Sequence, residues 1–458
     1  MTYSLSWAHI FRLGLIQTSL GAIIVLTTST LNRVMVVEFA LPAMLPGFLV
    51  TIHHIVQLAR PRIGHGSDVG GRRTPWIVGG MMVLALGGVL AALGTTMMPS
   101  SQIIGTVVSA VGFFAIGLGS GATGTSLLVL LAKLVSPERK PAAAALVWFM
   151  MIFGFAMTAG IAGHFLDPFS SVRLLIVTAS VSSIAMIVTI LAVRGIEPSE
   201  SAPVQEMSDR RSSEGTQTIA FSAALRSVWR EADSRRFTVF VFVSMFAYSA
   251  QDLILEPFAG LVFNFSPGAS TQLAGLQHGG VLAGMGLVAL TTLSHRLSRG
   301  VNWLSYWVRG GCLLSACALF LLAYSGNHPS NWPLQANVLL LGFANGAFAV
   351  AAIGAMMTLA GQGVEKREGL RMGLWGAAQA VAFAVGGFLG TVAVDVTRIW
   401  IDDSAVAYGL VFATEGLMFL WATWLAGAIA FPAPEARAQN PSFGAIALNE
   451  LGDEGATT

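Results

Sequence analysis

RPRIGHGSDVGGRRTPWI, residues 60–77, is a short polar break between two long apolar runs. Arg60, Arg62, Arg72 and Arg73 place four cations in it against one acid, Asp68. Apolar runs of about 20 residues have the length of a helix that crosses a bilayer. Lys and Arg collect in the loops that stay on the cytoplasmic side. The stretch therefore reads as an inner connection between two membrane spans, and it sets the phase for the rest of the chain.

Working outward from this loop, runs of spanning length recur near 11–32, 39–58, 76–98, 103–134, 142–166, 171–193, 237–263, 272–293, 303–325, 333–360, 370–394 and 405–430. Twelve spans predict an all-α polytopic membrane protein. Composition agrees: of 458 residues, 54% are hydrophobic and 10% charged, with a mean hydropathy of +0.71, whereas soluble domains carry about 25% charged residues. Assigning the N-terminus to the cytoplasm puts 21 of the 25 basic residues in inner segments. Arg33, Arg173 and Arg398 fall outside and Arg309 within the ninth span, so both termini are expected to be cytoplasmic. A net charge of +2 gives no nucleic-acid partner. Cys312 and Cys317 lie in one apolar run and offer neither a disulfide framework nor a metal spacing. No catalytic constellation is seen, so no enzyme is expected; GSGATGTS, Gly119–Ser126, lacks the lysine of a phosphate loop and reads as small residues for helix packing.

The chain repeats itself. PERKPAAAALVW places Glu138 ten residues before Trp148, and VEKREGLRMGLW places Glu365 ten residues before Trp375. Asp167 and Asp395 then follow the tryptophans by 19 and 20 residues. This offset of 227 residues predicts two six-helix halves, 1–193 and 237–431, joined by a polar linker, 194–236, and followed by a flexible cytoplasmic tail, 432–458. No chemistry is assigned to the linker or the tail.

Within the opening loop, Gly64, Asp68, Gly71, Arg72 and Arg73 match the G-x-x-x-D-x-x-G-R-R/K signature and resemble the major facilitator superfamily. The resemblance implies a conformational latch on the inner side, made by these residues with Glu138, Arg139, Glu365 and Lys366 at the corresponding inner corners. Val69 replaces the family's usual basic residue there. Three further stretches are similar to the PucC, or bacteriochlorophyll delivery, family within that superfamily: NRVMVVEFALPAMLPG (32–47), AQDLILEPFAG (250–260) and TQLAGLQHGG (271–280). The compact loop after span two resembles a branch encoded among bacteriochlorophyll biosynthesis genes more than the family's antenna assembly factors. The resemblance implies a multi-pass protein of the bacterial inner, photosynthetic intracytoplasmic membrane. It implies assembly of light-harvesting or reaction-centre complexes, with bacteriochlorophyll or a precursor as bound cargo. Antenna or reaction-centre polypeptides and pigment-biosynthesis enzymes are the implied partners.

The polar residues at membrane depth supply the site candidates. Asp252 and Glu256, one helical turn apart and just before Pro257, are ionisable groups within a span and so functional candidates by default. With Gln251 and Glu38 they form the proposed cargo or proton site; the alternative is a pair of carboxylates at a hydrated helix end. His53, His54 and, at the start of span eight, His278 are candidate axial ligands for a chlorin magnesium, against the plainer role of hydrogen bonding between helices. His164 and Glu415 are weaker candidates. Three functions are open: a pigment-handling assembly factor, a proton-coupled transporter of a small solute with Asp252 as proton site, and a cargo-free chaperone for antenna polypeptides.

Overall fold

The structure is a computed structural model, which describes residues 5–57, 72–136, 139–197, 229–293, 303–360 and 368–429. Its first helix, α1, runs Trp7–Val25 and continues through two π turns to Glu38. The remaining helices are α2 (Met44–Val56), α3 (Thr74–Met97), α4 (Gln102–Leu134), α5 (Lys140–Leu166), α6 (Ser171–Val193), α7 (Ala232–Phe263), α8 (Pro267–Leu293), α9 (Trp303–Ser325), α10 (Leu334–Ala360), α11 (Glu368–Trp400) and α12 (Ser404–Gly427). Eleven are long and apolar enough to cross a bilayer, and α2 is the shorter twelfth. The expected spans all appear, with shifted ends. Helix α7 starts at Ala232 rather than 237, α8 at Pro267 rather than 272, and α11 extends to Trp400 rather than 394. The inner loop 58–71, the linker interior 198–228 and the tail beyond 429 lie outside the described residues.

Local chemistry sets several of these ends. Pro75 and Pro141 stand in the first turns of α3 and α5, where a missing N–H is harmless. Ser170 and Asp403 accept N–H bonds at the starts of α6 and α12. Asn264 stops α7 in a left-handed conformation, φ 57°, which asparagine tolerates. The expected small-residue packing in span four is present: a Cβ on Gly119 would lie 2.4 Å from the Leu84 nitrogen, so α3 and α4 meet backbone to backbone.

Packing follows the repeat. In the first half α1 packs on α5 and α6, α3 on α4 and α6, and α2 on α4. In the second, α7 packs on α11 and α12, α9 on α10 and α12, and α8 on α10. The halves meet through α5 with α8 and α2 with α11, again an exchanged pair. Each half holds an apolar core, that of the first half joined by Leu253 of α7, with a small cluster around Leu26, Ala162 and Ala274 between them. An arginine early in the first helix of each half closes the linker end: Arg12 of α1 donates to the Leu191 and Arg194 carbonyls, and Arg236 of α7 donates to that of Ala428.

Candidate functional site

Pro257 lies inside α7 and has no N–H, so the Leu253 carbonyl four residues earlier loses its helical partner. That carbonyl is met from the other half, where Asn32 of α1 donates Nδ2 to it at 2.6 Å. Next to Asn32, Arg33 is 2% exposed; its guanidinium pairs with Glu38 and donates to the Phe265 carbonyl just beyond α7. Gly260 makes room for this crossing, since a Cβ there would approach Arg33 Nη2 to 3.1 Å and Val37 to 2.9 Å. Arg33 also faces Glu256, which is 3% exposed and has the Ser270 hydroxyl of α8 beside its carboxyl. Thr30 and Thr271 join α1 to α8 at 3.1 Å. The three stretches that carry the family resemblance therefore converge on one inter-half junction.

Two expectations are corrected here. Arg33 does not lie in an outer loop: it is a buried residue of α1. Glu256 is buried rather than at a hydrated helix end, beside the Arg33–Glu38 pair.

Towards the linker end, the same face of α7 carries Asp252 and, one turn earlier, Tyr248, both half-buried. Asp252 faces His278 of α8. The His278 Nδ1 lies 2.8 Å from the Ala274 carbonyl. A carbonyl can only accept, so Nδ1 carries a proton, and Nε2 is the ring nitrogen that the helix backbone does not engage. The His278 ring stands edge-on to Phe155 of α5 at 5.0 Å. On the other side, Tyr248 packs against Phe383 of α11 at 5.8 Å, Phe383 against His54 of α2 at 5.9 Å, and His54 against His53 at 4.8 Å. His53 is buried, its Nε2 2.8 Å from the Gln57 amide. A belt of rings and ionisable groups thus crosses all four inter-half helices with α7 at its centre. His278 is in the middle of α8, not at its start. Of the glycines beside it, Gly280 is filled by α10, whereas Gly279 borders open space. Gln251 is completely buried and its amide has no partner among the described residues. Glu415 is likewise buried in α12, both oxygens unpartnered among the described residues.

Of the expected latch, Gly64, Asp68, Gly71, Glu138, Glu365 and Lys366 lie outside the described residues. Arg72 is exposed, Arg73 is buried, and Arg139 immediately precedes α5. The linker is not free of structural roles. Glu197, just past α6, accepts the N–H groups of Arg73 and Thr74 at 2.7 and 2.9 Å and the Thr74 hydroxyl at 2.7 Å. Burial pushes the Glu197 carboxyl up, but these bonds and the nearby Arg72 charge outweigh it and hold the group below the usual carboxylate range. At the other end of the linker, Glu231 takes two bonds from Arg371 of α11, at 2.7 and 3.0 Å. Neither acid carried a sequence signal, because each reads as one more charge in a polar stretch.

The far end is tied twice. Asp167, past α5, accepts from the Ser266 hydroxyl at 2.8 Å and the Gly268 N–H at 3.3 Å at the start of α8. Asp395 of α11 accepts the N–H groups of Ala43 and Met44 at 3.0 and 2.7 Å at the start of α2.

A family model described as PUCC protein matches residues 30–433. A Rhodobacter capsulatus protein named bacteriochlorophyll synthase 44.5 kDa chain is 50% identical over 92% of this chain and 95% of its own. Protein PucC of Rhodovulum sulfidophilum is 27% identical over 86% of each chain. Among solved structures, a D-xylose-proton symporter superposes with a TM-score of 0.67 at 15% identity, covering 92% of this chain and 98% of that one. With its twelve helices in two exchanged halves and the family's stretches meeting at one junction, this chain is a member of the PucC family built on the major facilitator fold.

Proposed function

We propose that the protein is a membrane assembly factor that receives bacteriochlorophyll or a precursor and releases it to light-harvesting or reaction-centre polypeptides. The observation that carries this reading is the belt between the halves. It offers ring faces from Phe155, Tyr248 and Phe383 and imidazoles from His54 and His278, with Asp252 among them. Flat apolar rings stack on aromatic faces, and an imidazole nitrogen can ligate a metal. The reading places the chain in the photosynthetic inner membrane with both termini cytoplasmic, as the arginine asymmetry favours, and with 1–193 and 237–431 as the halves around linker 194–236. Pigment-biosynthesis enzymes are natural partners for a protein half identical to one named for a synthase. That word does not make this chain an enzyme, since its fold is shared with transporters.

A second reading, proton-coupled transport of a small solute, draws on the Asp252–His278 pair and on the fold shared with a proton symporter. The test is the absorption spectrum and extracted pigment of the protein purified in mild detergent from a phototrophic host, beside Asp252→Asn and His278→Ala. Bacteriochlorophyll near one per chain, lowered in a variant that still folds, is the expected result. Pigment-free protein whose vesicles accumulate a solute under a pH gradient overturns it in favour of transport. Pigment-free protein that pulls down antenna polypeptides overturns it in favour of a cargo-free chaperone.

A further inference from the structure

Helices α5 and α6 each pack on α1 but touch one another little, which leaves a lateral groove of about 970 Å³. That is the upper end of the range of roughly 300–1,000 Å³ for small-molecule pockets. Along α6 it runs from Val172 to Val188, about 24 Å at the helical rise per residue. Its floor is α1 from Leu15 to Ala22, and its walls include Ile161, Ile176 and Ile184, all exposed on the lipid side. The charged and imidazole groups gather at the far end, His164, Asp167 and Arg173, while the hydroxyls of Thr18, Ser19, Thr158 and Ser180 lie along the length. A long, mainly apolar trench with one charged mouth fits an amphiphile with a single long chain.

The mouth narrows the choice. Arg173 gives a guanidinium N–H to the Pro168 carbonyl at 2.9 Å, and the Asp167 carboxylate belongs to the same mouth. Its charge is balanced, so it lacks the cationic surplus that holds a phosphate headgroup. His164 is exposed and makes no hydrogen bond among the described residues, so an imidazole nitrogen is available to a metal. The mouth is also continuous with the inter-half contact, because Asp167 binds the start of α8. We propose that this groove is the lipid-side loading site for a magnesium chlorin, with His164 as axial ligand and the ester chain lying along α1. The proposal rests on the pigment-handling reading above, and it makes the groove the route to the central belt.

The experiment uses the full chain purified from a phototrophic host, with pigment and phospholipid both extracted and quantified. His164→Ala removes the ligand at an exposed position, and Ser180→Trp fills the groove from its exposed wall. Each is expected to lower pigment per chain by about tenfold, the loss of a ligand interaction worth about 1.4 kcal/mol, with phospholipid unchanged. Pigment unaffected by both variants but lost in Asp252→Asn overturns the groove while leaving the pigment reading intact. Pigment unaffected with phospholipid lost in Ser180→Trp assigns the groove to bilayer lipid and also overturns it. A wild-type protein without pigment overturns the parent reading instead. If Ser180→Trp does not fold, His164→Ala decides alone.

Discussion

Asp167 and Asp395 stand at matching corners of the two halves and do the same work, each taking N–H groups at the start of a helix in the opposite half. Trp148 and Trp375 also match in sequence, yet Trp375 is 1% exposed and Trp148 42%. Trp375 packs on Phe237 at 4.8 Å and reaches the Ser234 carbonyl, beside the Glu231–Arg371 pair. Trp148 faces outward. A third matched pair shows why the halves differ. Arg33 and Gly260 are separated by the same 227 residues that relate Trp148 to Trp375. The side chain of one fills the space that the other leaves empty. Where equivalent positions face each other across the junction, both cannot be large, so symmetry is kept at the rim and broken at the centre.

The largest effect should come from the broken centre. Arg33→Ala leaves Glu38 and Glu256 without their cation, and removing one partner of a buried ion pair costs about 3–5 kcal/mol. A large drop in the thermal midpoint in detergent is expected; a midpoint within a degree of wild type would mean that Arg33 is not the junction's anchor. Next is the tryptophan pair: Trp375→Ala should cost about 3 kcal/mol through the cavity it leaves, while Trp148→Ala should stay within about 0.5 kcal/mol. Equal losses would remove the contrast drawn above.

The rim should behave symmetrically. Asp167→Ala and Asp395→Ala should each cost about 1 kcal/mol, as lost helix caps do. Each should also raise labelling of a cysteine placed at the far end, and labelling that responds to one aspartate alone would break the proposed equivalence. Smallest is a pH effect at Glu197. Its folded-state pKa is depressed, so its stabilisation is in place above the ordinary carboxylate range and is lost as pH falls through the folded value. The thermal midpoint of Glu197→Gln should therefore fall less steeply in acid than that of the wild type. Parallel curves would show that the bonds to Arg73 and Thr74 contribute nothing to stability.

Much of the architecture was legible in the chain itself. A bilayer imposes a length on every apolar run and a bias on every loop, so hydropathy and arginine placement predicted twelve spans, and all twelve helices are present. The stretch from Ala250 to Gly260 also stands out in the sequence, because acids and a proline within a span are costly wherever they point. Which groups they meet was not legible. Asn32 lies 221 residues from the carbonyl that Pro257 leaves open, Arg33 counted as an outer charge, and Glu197 and Glu231 were hidden in a polar linker. Hydropathy is a local property, summed over neighbours in the chain. The partner of a buried polar group is set by which helix faces pack together, so the spans belong to the sequence and the junction, the belt and the lateral groove to the tertiary structure.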